Sequence, residues 1–549
     1  MTQHRRALAL DPTASDAWLQ LGAGDTSDPA KPGNRGYLGR ALSLAPNDPG
    51  QAGTLVIALA KIGDTKASLA LAERLSRLQA QAKGPTADLR GRRSRIAEFP
   101  GDPSAHANIA VDYTNLEDYA RSIAHAKRIM AIMPDSERTW HFIAHGYRAL
   151  GDINEFERSM ARYALALKAR IPIDIQNAAR ARVGAPQYVS YIGELALQAD
   201  LYVKAVKLGY LPPRKLIWPV HGHALANTAY MELWRDHIEF IEDAATCAAV
   251  LNDPSLPVHD AHWLTFPDGT ARLKERAMYE VQREWESRQL PPVIELDADA
   301  MEQGRAILRR FGLRDSDWFV VLHVRDSGFN LSSGRDEVRQ VLRNARIETF
   351  DPAIQLIAER GGYVFRIGHP SSRLHSAGER FFDVAHSEFS SPYLDVFLCA
   401  QARLFLGVTS GPSTVSASFG VPSVLTNIIP ASLGPFRGTD TFITKLLWSA
   451  REQRHLSLRE MLLPPLQGLF EPSVFQALGI ECHDNTPADI LATVREQLDR
   501  HDRSYVPASE TEILQKRARE VYAATGNPLI GRFGDAFLSA HKETLGLDA

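Results

Sequence analysis

The chain has 549 residues, of which 44% are hydrophobic and 23% are charged, a composition typical of globular proteins. Its formal net charge of −3 and its pI near 6.7 provide no basic field for a nucleic-acid backbone, so we expect no nucleic-acid partner. The three cysteines, Cys247, Cys399 and Cys482, are odd in number and widely spaced, which argues against a disulfide framework or a structural zinc site. The length predicts roughly three domains.

The opening segment, MTQHRRALALDPTASDAW, has too short an apolar run to indicate a signal peptide. No stretch approaches the ~20 apolar residues of a membrane-spanning helix. We therefore expect a cytoplasmic protein without a transmembrane segment, and peripheral attachment to the inner membrane face is left open.

The first part of the chain carries helical pairs with a repeat length close to about 34 residues. Trp140-x-x-Ile143-Ala144-x-x-Tyr147 fits the W-x2-L-G-x2-Y pattern of a first repeat helix, and Gly151-Asp152 then predicts a turn. Trp18-x-x-Leu21-Gly22 repeats the opening of that pattern. Residues 1–175 therefore resemble tetratricopeptide (TPR) proteins, whose stacked repeats present a concave surface to a protein partner. A plain helical bundle is the alternative.

After about residue 180, strands alternate with helices, the pattern of a parallel sheet covered on both faces. Predicted strands of a first α/β unit are QYVSYIG, KLIWPV and IEFIED, with helices at ELALQADLYVKAVKLG and ALANTAYMELWRD. A second unit has predicted strands WFVVLHV, YVFRIG, RLFLGV and PSVLTN. The tail contains two helical patterns, PADILATVREQLDRH and TEILQKRAREVYAAT. The predicted fold class is α/β with an all-α N-terminal region.

Residues 403–427 predict a strand, a small polar loop, a short helix and a second strand. Such a unit directs the free amides of a helix N-terminus toward the carboxyl edge of a sheet, where anions bind. Pro412 suits the first helical turn, and Thr409, Ser410 and Ser413 supply hydroxyls beside it. A phosphate-bearing ligand fits this loop, although an ordinary strand-to-helix connection uses the same residue types.

A nearly continuous apolar run, WFVVLHV, delivers Arg325 and Asp326 to the same edge. A guanidinium there can bind two phosphate oxygens and neutralise the charge that develops on a departing diphosphate. The competing interpretation is an ordinary ion pair made by Arg325.

Residues 318–430 resemble the donor-binding half of GT-B glycosyltransferases. The segment TSGPSTVSASFGVPSVLTN is similar to a heptosyltransferase-type pattern, and HVRDSG is similar to the HVR motif of the α1,6-fucosyltransferase group. With RNARIETF and DVFLCAQARLFLGVTSG, it looks like a family of bacterial glycosyltransferases often found beside surface-polysaccharide genes. Including YIGELA and VKLGY, the resemblance covers residues ~185–430. It implies a GT-B fold of two Rossmann-like domains.

The resemblance implies domains at 1–175 (TPR-like repeats), 185–300 (acceptor side), 301–475 (donor side) and 476–549 (helices, with a return to the first half left open). It also implies that the donor is a nucleotide sugar, bound as a substrate, and that no cofactor is needed. The implied donor-binding residues are Arg325, Asp326, Arg343, Asn344, Gly368, His369, Thr409, Ser410, Gly411 and Ser413. Arg325 would contact the donor diphosphate.

Two groups are candidates for the general base. Glu194 follows a predicted turn at Ile192-Gly193, but related sequences have His in or beside this turn, and Glu194 is equally explained as a first-turn carboxylate. His221, with His223 in PVHGHALAN, is the alternative, because histidine is the residue type whose ordinary pKa lies near neutrality.

We expect no metal ion. The pair His221 and His223 has no third ligand in sequence, and Asp297-x-Asp299 is better explained as a helix cap than as a metal-binding DxD. His141 and His145 are better explained as packing or surface residues of the Trp140 helix.

The sequence thus predicts a metal-independent glycosyltransferase that moves a sugar from a nucleotide-activated donor to a hydroxyl. Its acceptor would be a surface glycan, a lipid intermediate or a protein captured by the repeats. Two other functions remain open: a non-catalytic TPR adaptor with a nucleotide-binding half, and a nucleotide-sugar epimerase on a GT-B-like fold.

Overall fold

The structure, a computed structural model, describes residues 89–548 apart from 117, 135, 171–180, 254–255, 257–262, 267, 327–337 and 469–471. The repeat opening predicted at Trp18 therefore lies outside the described residues. The chain divides into two compact units, one ending at Pro134 and the other comprising the residues after it.

The described part of the first unit is helical. It contains α1 (Leu89–Glu98), α2 (Pro103–Asn115) and α3 (Tyr119–Ile132). Asp102 and Asp118 cap α2 and α3 by accepting backbone N–H groups at 2.9 and 3.1 Å. The helices α2 and α3 pack as a pair, and Ser122 Oγ donates across it to the Ala110 carbonyl at 2.9 Å.

A second helical pair opens the second unit. The helices α4 (Glu137–Ala149) and α5 (Ile153–Arg170) are joined at Gly151, whose φ of 70° confirms the predicted turn. Ile143, Ala144 and Phe156 are buried between α4, α5 and their neighbours. The helix α5 also contacts a hairpin of β4 (Trp263–Thr265) and β5 (Ala271–Leu273), so this pair belongs to the same compact unit as the sheets.

The smaller parallel sheet has the order β1-β2-β3, formed by β1 (Ala181–Val183), β2 (Lys215–Pro219) and β3 (Ile238–Ile241). Its helices are α6 (Ile192–Lys207), α7 (Thr228–Glu232) and α8 (Ala244–Asn252). The predicted strands KLIWPV and IEFIED are confirmed, whereas the predicted strand QYVSYIG is wrong. That segment forms a 3-10 helix, Pro186–Ser190, followed by the start of α6, because Pro186 suits a helical first turn and has no N–H for a strand ladder.

The larger sheet has seven strands, all parallel, in the order β15-β11-β10-β9-β6-β7-β8. The strands are β6 (Phe319–His323), β7 (Tyr363–Arg366), β8 (Phe381–Asp383), β9 (Leu404–Val408), β10 (Ser423–Ile428), β11 (Thr441–Thr444) and β15 (Arg532–Phe533). The central strands β6, β9 and β10 are buried on both faces, and β6 and β9 are largely apolar, as a doubly covered sheet requires. Around the sheet lie α11 (Asp351–Glu359), α12 (Pro392–Gln401), α13 (Gly411–Ser418) and α16 (Pro487–His501).

The remaining elements connect these parts. They are α9 (Lys274–Ser287), α10 (Ala298–Arg310), α14 (Leu458–Met461), α15 (Pro472–Leu478), α17 (Ser509–Ala524), α18 (Asp535–His541) and an antiparallel sheet of β12 (Leu446–Ser449), β13 (Arg454–His455) and β14 (Ile480–His483). Both predicted C-terminal helices are confirmed as α16 and α17.

The mixed α/β fold with a helical N-terminal region is confirmed. No helix in the described part of the chain has the length and hydropathy needed to cross a membrane.

Candidate functional site

The centre of the larger sheet is its topological switch point, where the chain leaves β6 for β7 on one side and β9 continues on the other. Ligands of open parallel sheets bind outside the carboxyl ends of the strands at such a point. In the register of the two strands, His323 pairs with Gly407. Arg325 and Thr409 therefore follow at equivalent positions, and the sheet brings together the two segments that the sequence selected.

The loop after β9 is ordered by its own hydroxyls. Ser410 donates its backbone N–H to Ser413 Oγ at 3.1 Å, and Ser413 Oγ donates to the Ser410 carbonyl at 2.7 Å. Pro412 occupies the first turn of α13, and the Ser410 and Ser413 side chains are buried. The helix predicted here is confirmed, and its N-terminus lies at the carboxyl edge of the sheet.

The N-terminus of α6 lies directly against the N-terminus of α13. A Cβ built on Gly193 would be 2.9 Å from Gly411 Cα, and one built on Gly411 would be 2.6 Å from Ile192 Cγ2. Side chains larger than hydrogen do not fit at either position. The N-terminus of α6 and the small-residue loop after β9 are therefore in direct contact.

Arg343 joins this loop from the segment after β6. Its Nη2 donates to the Thr409 carbonyl at 2.8 Å. The pKa of Arg343 falls to about 9, chiefly because the side chain is buried and also because of the nearby charge of Arg325, while Glu194 and Glu275 oppose the change. The charge of Arg325 acting on the buried Arg343 marks a region of positive potential, which a bound anion would relieve.

The pKa of His323, the last residue of β6, responds to the same positive charges. Burial lowers its pKa to about 3, with further contributions from the charges of Arg325, Arg366 and Arg343. The side chain is therefore neutral at physiological pH. Arg366 itself is paired, because its Nη1 donates to Asp383 Oδ2 at 2.8 Å.

Glu194 lies in the first turn of α6, where its carboxylate accepts a hydrogen bond from Lys274 Nζ. The Lys274 side chain is only 3% exposed, whereas that of Glu194 is 31% exposed. Lys274 Nζ also lies 5.2 Å from the centre of the Tyr188 ring and 3.9 Å from Glu275 Oε1. Sequence reasoning missed Lys274 and Glu275, since no local motif marks residues that reach the site from 80 positions away.

Asn344 and Asp326 lie at the rim of this cluster. Lys445 Nζ donates to the Asn344 carbonyl at 3.1 Å and to Asp484 Oδ1 at 2.6 Å, while Asn344 Oδ1 is buried without a hydrogen-bond partner among the described residues. Asp326 Oδ2 is 3.6 Å from Arg366 Nη2. Lys445 follows β11 and is a further cation at this edge that the sequence did not indicate.

Gly368 and His369 follow β7, which lies next to β6. His369 Nδ1 is 2.6 Å from Ser371 Oγ, and Ser372 Oγ donates to the His369 carbonyl at 2.5 Å. These residues therefore lie one strand away from the switch point.

His221 and His223 follow β2 and are exposed. His221 Nδ1 lies 3.0 Å from the Glu242 carbonyl oxygen, at the carboxyl edge of the smaller sheet. Glu194 is the candidate base whose charge acts on Arg343. The assignment of either residue as the base stays a prediction.

Three residues to which the sequence analysis assigned no functional role have structural contacts. Asp297 caps α10 by accepting the Ala300 N–H at 2.7 Å. His141 and His145 have their Nε2 atoms 3.2 Å apart on α4, and burial lowers the pKa of His145 to about 4.

No protein-family model matches the chain, and no curated protein matches it. Among solved structures, it is similar to a family 9 glycosyl transferase from Veillonella parvula DSM 2008, with 12% identity over 55% of this chain and 96% of the other, at a TM-score of 0.30. It is similar to the E. coli heptosyltransferase WaaC with ADP, with 14% identity over 54% and 96%, at 0.26. It is also similar to a mutant O-GlcNAc transferase from Thermobaculum terrenum, with 14% identity over 97% of this chain and 98% of the other, at a TM-score of 0.25. These TM-scores are too low to support a functional assignment.

Proposed function

We propose that this protein is a glycosyltransferase that moves a sugar from a nucleotide-activated donor to a hydroxyl acceptor. The observation that carries the proposal is the switch point of the larger sheet. There Arg325, Arg343 and the N-terminus of α13 converge; the charge of Arg325 lowers the pKa of Arg343, and the charges of both arginines lower the pKa of His323. Such a site suits a diphosphate.

In the proposed reaction, the acceptor oxygen attacks the anomeric carbon of the donor sugar and forms a new C–O bond. The bond between that carbon and the phosphate oxygen breaks, and its electron pair leaves with the diphosphate. Arg325 and the amides of the 409–413 loop stabilise the added negative charge. The acceptor proton passes to Glu194, with His221 as the alternative base.

The proposal needs no metal ion, because the developing negative charge meets fixed guanidiniums. The donor is the substrate, and no cofactor takes part. The acceptor is a glycan, a lipid intermediate or a protein. Deletion of the N-terminal repeats, followed by activity assays on protein and small acceptors, would distinguish these acceptors. Deleting residues 1–134 is better than deleting residues 1–170, because α5 packs against β5 and α9.

The test is a thermal-shift screen with UDP, GDP, CMP, ADP and their sugars, on the native chain and on Arg325→Ala. A ligand that binds only the folded state raises its stability by about 2.7 kcal/mol at a hundredfold excess over the Kd. We expect one nucleotide class to give a shift that Arg325→Ala abolishes. Arg373→Ala is the matched control, because the Arg373 side chain is 82% exposed and pairs with Glu348.

If no nucleotide shifts the native protein, the proposal is wrong. If a nucleotide binds but its sugar is never consumed with any acceptor or with water, the adaptor function replaces the enzyme. If the donor is converted to an isomeric nucleotide sugar without an acceptor, the protein is an epimerase.

A further inference from the structure

The contact between Lys274 and Glu194 continues away from the site into the helical region. Lys274 is the first residue of α9, and the residues on both sides of it are held by Glu157 of α5. Leu273 N–H donates to Glu157 Oε1 at 2.9 Å, and Arg276 Nη1 donates to Glu157 Oε2 at 2.8 Å. One carboxylate thus fixes both ends of the turn that carries Lys274.

This anchor is built into the core of the unit. The Glu157 and Arg276 side chains are 10% and 7% exposed. Arg276 Nη1 also donates to Asn154 Oδ1 at 3.1 Å, and Ile153 packs against Gly468, leaving no room for a Cβ there. A buried pair of this kind fixes geometry, because removing one partner leaves the other charge buried and uncompensated.

Lys274 is itself confined on several sides. Its ammonium lies against the Glu194 carboxylate, over the Tyr188 ring and near Glu275. Confinement of one partner limits the rotamers of the other, so Glu194, which is one-third exposed, is held in one orientation at the α6 N-terminus. Two residues away from Glu194, Ile192 contacts the Gly411 backbone of the proposed phosphate loop.

We propose that Lys274 is a positioning residue for Glu194 and that Glu157 positions Lys274. The helical pair α4 and α5 would then contribute to the geometry of the transfer site. The inference rests on the proposed function for its catalytic consequence. The positioning itself does not, because it concerns contacts among three residues of this chain.

Two readouts on the full-length protein test the inference. The first is carboxyl labelling with a carbodiimide and glycine ethyl ester, followed by peptide mass spectrometry, which measures how accessible the Glu194 carboxylate is. The second is release of nucleotide from the donor sugar selected by the thermal-shift screen, with water as acceptor. The variants are Lys274→Gln, Lys274→Arg and Glu157→Gln.

We expect Lys274→Gln to increase the labelling of Glu194 and to lower kcat by about 10- to 100-fold, since a misplaced base loses most of its contribution. The donor KM should change less than about threefold, because the phosphate contacts come from the other half. Lys274→Arg should restore most of the kcat, since it keeps the charge. Glu157→Gln should change both readouts in the same direction as Lys274→Gln, by a smaller factor.

The matched control is Glu280→Gln. Glu280 lies on α9, like Lys274, and is an exposed partner of Arg272, so its substitution should alter neither readout. Unchanged Glu194 labelling in both Lys274→Gln and Glu157→Gln overturns the inference. So does an unchanged kcat in a Lys274→Gln protein that still binds the nucleotide, and that result leaves the proposed function intact. If the native protein binds no nucleotide, the proposed function fails, and the labelling alone decides the positioning.

Discussion

Arg325 and Arg343 lie at the carboxyl edge of the larger sheet. Glu194 lies in the first turn of α6, beside the smaller sheet, and His221 lies at the carboxyl edge of that smaller sheet. The arginine that contacts the loop is buried deeply enough for its pKa to fall to about 9. Glu194 is one-third exposed, and His221 is exposed. Stabilising a departing anion benefits from fixed charge away from water, whereas a general base must exchange its proton with solvent. The two halves differ in the burial of their charged groups, as the proposed reaction requires.

The sharpest way to break this comparison is to remove each candidate base. Glu194→Gln should lower nucleotide release from the donor sugar by about 10²- to 10⁴-fold, the usual contribution of general base catalysis. His221→Gln should leave the rate within about threefold, because an exposed side chain away from the cluster adds little. Both variants should still give the nucleotide-induced thermal shift. The reverse pattern of rates would assign the base to His221.

Arg343→Gln tests the anion-binding half. We expect nucleotide affinity to fall by about 10- to 100-fold, since charge-assisted hydrogen bonds to phosphate are among the strongest contacts. The ligand-free protein should lose little stability, because burial beside Arg325 already disfavours this charge. Titration calorimetry with the nucleotide measures the first effect and urea unfolding the second. Unchanged affinity would remove Arg343 from the site.

Gly411→Ala tests the contact between the halves. The new methyl group would lie 2.6 Å from Ile192 Cγ2 and 2.9 Å from Gly193 N, so we expect a loss of about 1–3 kcal/mol in the free energy of unfolding. Gly101→Ala is the control, because a Cβ there meets nothing within 4 Å. If urea unfolding gives the same stability for both variants, the halves do not approach as described.

Asp395→Asn concerns the helix α12, which packs against α13. Burial raises the pKa of Asp395 to about 7, so the folded state keeps a proton that the unfolded chain has already lost. The stability that this group contributes is complete below its ordinary pKa of 3.8 and is lost as the pH rises through about 7. The native protein loses about 1.4 kcal/mol for each pH unit between the unfolded and the folded pKa, so the asparagine variant should gain about 2–3 kcal/mol relative to it between pH 5 and pH 8, measured by urea unfolding. A pH-independent difference would contradict the raised pKa.

Local pattern was enough to predict the segments on which the site depends. The apolar runs 318–324 and 403–408 predicted two strands, because a doubly buried strand must be apolar and the residues after it must turn. In the structure these strands, β6 and β9, are neighbours. Arg325, Thr409, Ser410, Gly411 and Ser413 were selected for this reason. The predicted strand QYVSYIG failed, because its apolar residues suit a 3-10 turn and a buried helix start as well as a strand.

The sequence by itself determined the class of fold and the two strands, WFVVLHV and RLFLGV, whose following loops carry Arg325 and Thr409. It predicted a strand-to-helix turn at 192–194, where the structure has the first turn of α6. Only the tertiary structure decided that Gly193 meets Gly411, that Lys274 pairs with Glu194, and that Glu157 of α5 anchors the turn beside it. These contacts join residues separated by 80 to more than 200 positions. Periodicity and turn chemistry act over a few residues, whereas buried charge pairing depends on which surfaces the folded chain brings together.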